Sequence, residues 1–225
     1  RLGVPAAGSL LFESGAFSAA ALMMGWISAT AIAAHQIALT CAATTFMTAL
    51  GIGAAACIRV GHAYGARKFT RTRRIGFSAI AMAAVVMGGF GIIFALAGKP
   101  IASLFIDSPA VVALTAQLLI IAAFFQIADG VQVASISALR GLSDVRASAV
   151  IAVVAYWCVA LPLGAILAFR MKLGAVGMWI GLAVGLGAAA VALTWRFHRL
   201  TLKPTTRLPV ASPVAETFPE HGAMP

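Results

Sequence analysis

Apolar residues run along this chain in long blocks separated by short clusters of charge. Residues 75–98, 147–169 and 173–195 contain no Asp, Glu, Lys or Arg. Each is long enough for one membrane-spanning helix, which needs about 20 apolar residues. Residues 111–139 form a further block interrupted only by Asp129, and residues 3–58 carry a single charge, Glu13. The last stretch is too long for one span, so a turn near Trp26–His35 is predicted to divide it, giving six helices. Between the third and fourth, segment 98–110 holds Pro100 and Pro109 and reads as a short outer loop with an interfacial turn at Leu104-Phe105-Ile106. Pro162 is expected to kink the fifth helix, because proline has no N–H to donate and its ring crowds the preceding turn. Past about Leu202 the apolar pattern stops, and Pro204, Pro209, Pro213 and Pro219 predict a disordered cytoplasmic tail. The domain reading is therefore a six-helix lobe over 1–200 and a Pro-rich tail over 201–225, with no internal repeat.

Composition turns spanning length into a membrane assignment. Of 225 residues, 62% are hydrophobic and 10% charged, with mean hydropathy +1.01. Soluble domains carry roughly a quarter charged residues, so lipid is the solvent that suits this chain. The net charge of +10 does not indicate nucleic-acid binding, since the cations sit at the ends of apolar blocks and no soluble domain carries a basic face. Placed against the helix order, they give a topology. If Arg1 is cytoplasmic, so are Arg59, Arg67, Lys68, Arg71, Arg73, Arg74, Arg140, Arg146, Arg196, Arg199, Lys203 and Arg207, leaving only Lys99, Arg170 and Lys172 outside. The positive-inside rule then predicts both termini on the cytoplasmic side of a cell inner membrane. Cys41, Cys57 and Cys158 lie in apolar stretches and read as packing residues, not as a disulfide framework or a zinc site. The chain begins at Arg1 with no signal-peptide pattern and is expected to be part of something longer.

Inside the spans only Glu13 and Asp129 are carboxylates. A charge at mid-bilayer costs about 2.5–3.5 kcal/mol on insertion scales, so each acid should face protein or water. Glu13 follows Arg1 by 12 residues and Asp129 precedes Arg140 by 11; at about 1.5 Å per residue both lie roughly 16–18 Å into the membrane. Two acids at one depth are candidates to line a common cavity. Removing a carboxylate from water favours its neutral form, which suits proton or monovalent-cation binding and attraction of a cationic, partly apolar solute. Ser14, Gln126 and Gln132 are possible supporting residues, the two amides lying three residues to either side of Asp129 and so near its face. Interhelical hydrogen bonding accounts for them equally well; Ser135 stands nearby. His35 and Gln36 are expected in a polar interfacial loop, and Met23 and Met24 in packing. The run Arg67–Arg74 is read as a topology determinant that contacts anionic headgroups. Gly177, Gly181 and Gly185 form a small-residue face for close helix approach, serving assembly if the chain is a half-subunit. Asp144 is expected to lock the 140–146 turn through a neighbouring arginine.

Several segments together resemble the multidrug and toxic compound extrusion (MATE) family, nearest its NorM-like branch. They are Gly3-Val4-Pro5, Phe12-Glu13, Ala33-Ala34-His35-Gln36-Ile37-Ala38, Phe46-Met47 and Arg59-Val60-Gly61-His62-Ala63-Tyr64-Gly65-Ala66. Further on come Phe125-Gln126-Ile127-Ala128-Asp129-Gly130-Val131-Gln132, Leu139-Arg140-Gly141-Leu142-Ser143-Asp144, Tyr156-Trp157 and Leu161-Pro162-Leu163-Gly164. The resemblance covers roughly residues 1–200. It implies an all-α membrane protein, the C-terminal six-helix lobe of a twelve-helix antiporter that uses a Na⁺ or H⁺ gradient to expel cationic drugs. Glu13 and Asp129 match the family's acidic positions for cation or proton coupling and substrate binding, with no other cofactor. The partners implied are the bilayer, cationic amphiphiles and an N-terminal lobe not present here. Two departures stand out: Thr48-Ala49-Leu50 replaces a proline, and Phe46 or Phe125 falls where some relatives carry an aromatic hydroxyl. A half-subunit needing a partner lobe and a lipid-linked-precursor flippase are the alternatives. An intramembrane aspartyl protease is disfavoured because Tyr-Asp and Gly-x-Gly-Asp motifs are absent, and no enzyme is expected.

Overall fold

A computed structural model describes residues 3–202 in backbone; of the side chains in that range, those of residues 3–11 and Glu13 lie outside the description. The predicted tail at 203–225 also lies outside the described residues. The described chain forms six helical rods: α1 (Gly3–Ile27), α2 (Ala29–Gly65), α3 (Phe69–Ser103), α4 (Pro109–Gly141), α5 (Val145–Arg170) and α6 (Gly174–Leu202). Five of them, α2 to α6, are long and apolar enough to cross a membrane. The chain is a multi-pass integral membrane protein.

The division of the 3–58 block falls at Ser28, inside the predicted window. Ser28 is extended (φ −174°, ψ 162°) and its hydroxyl accepts from the Ala31 N–H at 3.0 Å. That cap satisfies one of the donors a helix start leaves open. Segment 98–110 differs from expectation: α3 continues through Pro100 to Ser103, and the connection shrinks to 104–108. Pro100 cannot donate to the Leu96 carbonyl, and the strain appears as a kink at Ala97 (φ −110°, ψ 17°). Neighbouring helices let a spanning helix carry such a proline without ending there. In α5, the expected loosening at Pro162 takes the form of two π-helical stretches, Ala155–Ala160 and Ile166–Arg170. The Leu161 N–H reaches back five residues to the Tyr156 carbonyl, the bonding pattern of a π-turn.

Close packing, not hydrophobicity, holds these rods together, since lipid is as apolar as any core. α4 is central and packs against α2, α3 and α6, while α5 lies against α1 and α6. From Gln132 to Leu139 every residue of α4 is buried. The face at Gly177, Gly181 and Gly185 is used within the chain, against α5, and is not left free for assembly. A Cβ on Gly177 would lie 2.6 Å from the Leu167 carbonyl carbon, and one on Gly181 would overlap the Gly164 backbone. Met24, Met178 and Trp179 pack in one core cluster, and Met23 packs against it. Cys41 is buried, Cys57 half-buried and Cys158 exposed, all as free thiols.

The charged residues gather at the two ends of the bundle. Arg73 Nη2 lies 3.1 Å from His198 Nδ1, joining the start of α3 to the end of α6. Gly141 at the end of α4 packs on the Cys57 carbonyl of α2. Lys99, Arg170 and Lys172 belong to the other end, where Gly174 approaches Ile27. Asp144 is locked, but by a residue far along the chain instead of its neighbours. Arg196 Nε donates to Oδ2 at 2.5 Å and Nη2 to Oδ1 at 3.1 Å. A guanidinium fork matches a carboxylate in two bonds, and α6 presents one at the right height. Asp144→Asn is expected to cost about 1–2 kcal/mol at this partly exposed pair, lowering Tm in detergent by about 2–6 °C. Arg196→Lys, which keeps charge but loses the fork, should fall between; an unchanged Tm for both would show the pair to be incidental.

Candidate functional site

Asp129 lies in the second half of α4, is 5% exposed, and has Gly130 as its neighbour. A Cβ on Gly130 would stand 2.9 Å from the Ala83 carbonyl of α3, so the absence of a side chain there brings α3 tightly against the acid's turn. Gln126 and Gln132, one turn to either side, are also buried. Both make interhelical bonds. Gln126 Nε2 donates to Thr45 Oγ1 of α2, and Gln132 Oε1 accepts from the Tyr156 hydroxyl of α5 at 3.1 Å. One turn further, Ser135 Oγ lies 2.8 Å from Thr194 Oγ1 of α6. A polar stripe on α4 is thus clasped by three neighbouring helices.

Within that stripe Gln126 Oε1 is buried without a hydrogen-bond partner among the described residues. A buried carbonyl oxygen left unpaired costs about 1–3 kcal/mol. Placed one turn from a carboxylate, it is a second hard oxygen of the kind that suits an alkali cation or a proton-bearing group.

Glu13 lies within α1, and its side chain is outside the described residues. The backbone around it is placed: the carbonyl of Phe12 accepts from Trp157 Nε1 at 3.0 Å. Phe17, one turn on, packs on Tyr156 with ring centroids 5.8 Å apart and on Phe125 at 6.4 Å. The segment carrying Glu13 therefore runs beside the turn of α5 whose Tyr156 reaches Gln132. Ser14 is exposed, and its carbonyl accepts from the Ser18 hydroxyl at 2.9 Å.

Tyr156 joins the site although the sequence reading does not single it out. It is 1% exposed, and the signal was a phenol in mid-span, since a buried tyrosine hydroxyl finds a partner. Phe125 is buried and Phe46 half-buried, so the phenol facing α4 comes from α5. His35 corrects a second expectation. It is fully buried in α2, with Trp179 Nε1 donating to its Nδ1 at 3.2 Å, because the chain turns at Ser28 and position 35 is already two turns into the helix. Gln36 beside it is exposed but helical.

Cavities also border the described helices, two of them away from this stripe and one reaching its Thr194 partner. One, of about 620 Å³, lies between α2 and α3, with a smaller one of about 240 Å³ beside it. The third, of about 670 Å³, is an apolar groove between α3, α4 and α6, lined by Phe124, Val191 and Trp195 among others.

Comparison with known proteins bears on the family and the fold. The chain is 46% identical over 203 residues to a protein named Probable multidrug resistance protein NorM from Bradyrhizobium diazoefficiens, covering 88% of this chain and 44% of the relative. It is 44% identical over 205 residues to the Multidrug resistance protein NorM of Burkholderia vietnamiensis, covering 89% and 44%. The chain thus spans about half the length of the curated relatives it matches. The fold is that of the eukaryotic MATE transporter AtDTX14, at TM-score 0.82 and 23% identity, over 90% of this chain and 47% of that one. The family model described as MatE matches residues 5–166, which include the polar stripe of α4, and the chain belongs to the MatE family.

Proposed function

We propose that this chain is the C-terminal six-helix lobe of a twelve-helix secondary transporter that exports cationic drugs from a bacterial cell, driven by a Na⁺ or H⁺ gradient. Asp129 carries the coupling cation or proton together with Glu13. The observation that carries this reading is Asp129 itself: a carboxylate buried within a spanning helix, three turns from its end, with the unpartnered Gln126 carbonyl one turn away. Such a group is too costly in a membrane to be retained without a task. Ion and drug favour different conformations of the two lobes, so an ion gradient biases the alternating-access equilibrium by differential affinity. The basic end of the bundle faces the cytoplasm, with both termini on that side of the inner membrane.

The test uses the full-length protein in proteoliposomes with Na⁺ and pH gradients imposed separately, reading ethidium and norfloxacin movement. Drug movement driven by at least one gradient, and absent without either, is the expected outcome. Movement of neither compound under either gradient, alongside scrambling of lipid-linked precursors, would replace drug export with lipid flipping. The length relation to the relatives favours a lobe that works only with its counterpart.

A further inference from the structure

We propose that the cleft between α2 and α3 at the basic end of the bundle is a binding site for an anionic phospholipid. The two helices present matching stripes across it. On α3, Arg71, Arg74, Ser78 and Met82 recur at three- and four-residue spacing and share one face; on α2, Ile52, Ala56 and Arg59 do the same. Both stripes carry guanidinium groups at the basic end and become apolar towards the bilayer centre. At about 1.5 Å per residue, Arg74 to Met82 spans roughly 12 Å and Arg59 to Ile52 roughly 10 Å, the depth of a headgroup and the first part of its acyl chains.

The cavity between the stripes has a volume of about 620 Å³. An adjoining one of about 240 Å³ shares Arg59, Arg71 and Ile75 with it and adds His62 and Lys68. Among the described residues no acidic side chain lines either. Arg73, on another face of α3, is directed elsewhere, to His198 and to the Phe77 ring at 5.4 Å. Asp144 is held by Arg196. Three arginines thus converge on one cleft whose described walls hold no carboxylate.

A soluble phosphate would satisfy the guanidinium groups but leave the apolar floor formed by Ile52, Ala55 and Met82 in contact with nothing suited to it. A phospholipid satisfies both halves, and basic pockets between spanning helices are known to select anionic headgroups. This site does not depend on the drug-export reading.

The experiment is native mass spectrometry of the full-length protein in detergent, titrated with cardiolipin, phosphatidylglycerol, phosphatidylcholine and inorganic phosphate. Wild-type protein should retain the two anionic lipids at least about tenfold more tightly than phosphatidylcholine, and inorganic phosphate should not displace them. R59Q/R71Q/R74Q should remove that preference, while R170Q/K172Q at the other end leaves it intact. A55W, which keeps every cation and fills the cavity from an exposed position, should weaken retention as well. Equal retention of phosphatidylcholine, or displacement by inorganic phosphate, overturns the proposal. So does a loss confined to the triple-arginine variant, which would reduce the effect to diffuse surface charge.

Discussion

Gly181→Leu is expected to lower the amount of folded protein in the membrane at least about tenfold. At position 181 even a Cβ overlaps the backbone N and Cα of Gly164 and lies 2.8 Å from the Ala160 carbonyl oxygen. Nothing there can rotate away, because the opposing surface is main chain and a second glycine. Packed helices lie about 8–10 Å apart when side chains separate them, and α5 and α6 depend on coming closer than leucine permits. Overpacking among movable side chains costs about 1–3 kcal/mol; against backbone the helices must part, and lipid offers no hydrophobic force to rejoin them. Gly187 on the same helix supplies the control, since a Cβ there meets no atom within 4 Å. Gly187→Leu should express within about twofold of wild type. Membrane-fraction immunoblots with size-exclusion profiles decide the matter, and equal yields for the two variants would contradict the packing account.

The second large effect concerns transport. Asp129→Asn in the full-length protein should reduce gradient-driven ethidium efflux to the background of protein-free vesicles, with expression and Tm close to wild type. Asparagine has nearly the same shape and can still hydrogen-bond, but it neither accepts a proton nor carries a charge. Replacing a buried carboxylate by an amide also relieves desolvation, so no stability loss is expected to obscure the result. The variant therefore separates the chemistry of the site from its packing. Gln126→Leu offers a milder comparison, removing the carbonyl oxygen while leaving Asp129 in place, and should weaken ion dependence more than maximal efflux. Efflux by Asp129→Asn above half the wild-type rate would exclude Asp129 as the coupling group.

Much of the frame was legible because lipid imposes a simple rule, that charge belongs at the ends of spans. The charge-free windows locate three of the six helices directly and the block broken only by Asp129 a fourth, and the burial of Asp129 follows from its depth. The glycine face at 177, 181 and 185 was equally plain, although its partner is α5 and not another chain. Features that failed to show depend on packing or on fine placement. His35 reads as a loop residue in sequence because apolar residues on both sides of a turn shift its place by several residues, and only the Ser28 cap fixes it. Pro100 suggested an end to α3 because proline breaks helices in water, whereas a packed span absorbs it as a kink at Ala97. The partner of Asp144 lies 52 residues away on α6, beyond anything local charge spacing can reveal. Tyr156 likewise reaches Gln132 only because α5 lies beside α4 at that height.

The all-round burial of α4 from Gln132 to Leu139 bears on how this part of the chain is free to evolve. A helix on the rim of a bundle tolerates change at its lipid-facing positions, which recur about every 3.6 residues. This stretch has no such positions, so its pattern of accepted substitutions should lose the helical period and favour residues of unchanged volume throughout. Variation in drug preference or ion use among related sequences would then have to arise on the walls around this post, from α1, α2 and α5, while the post itself drifts little.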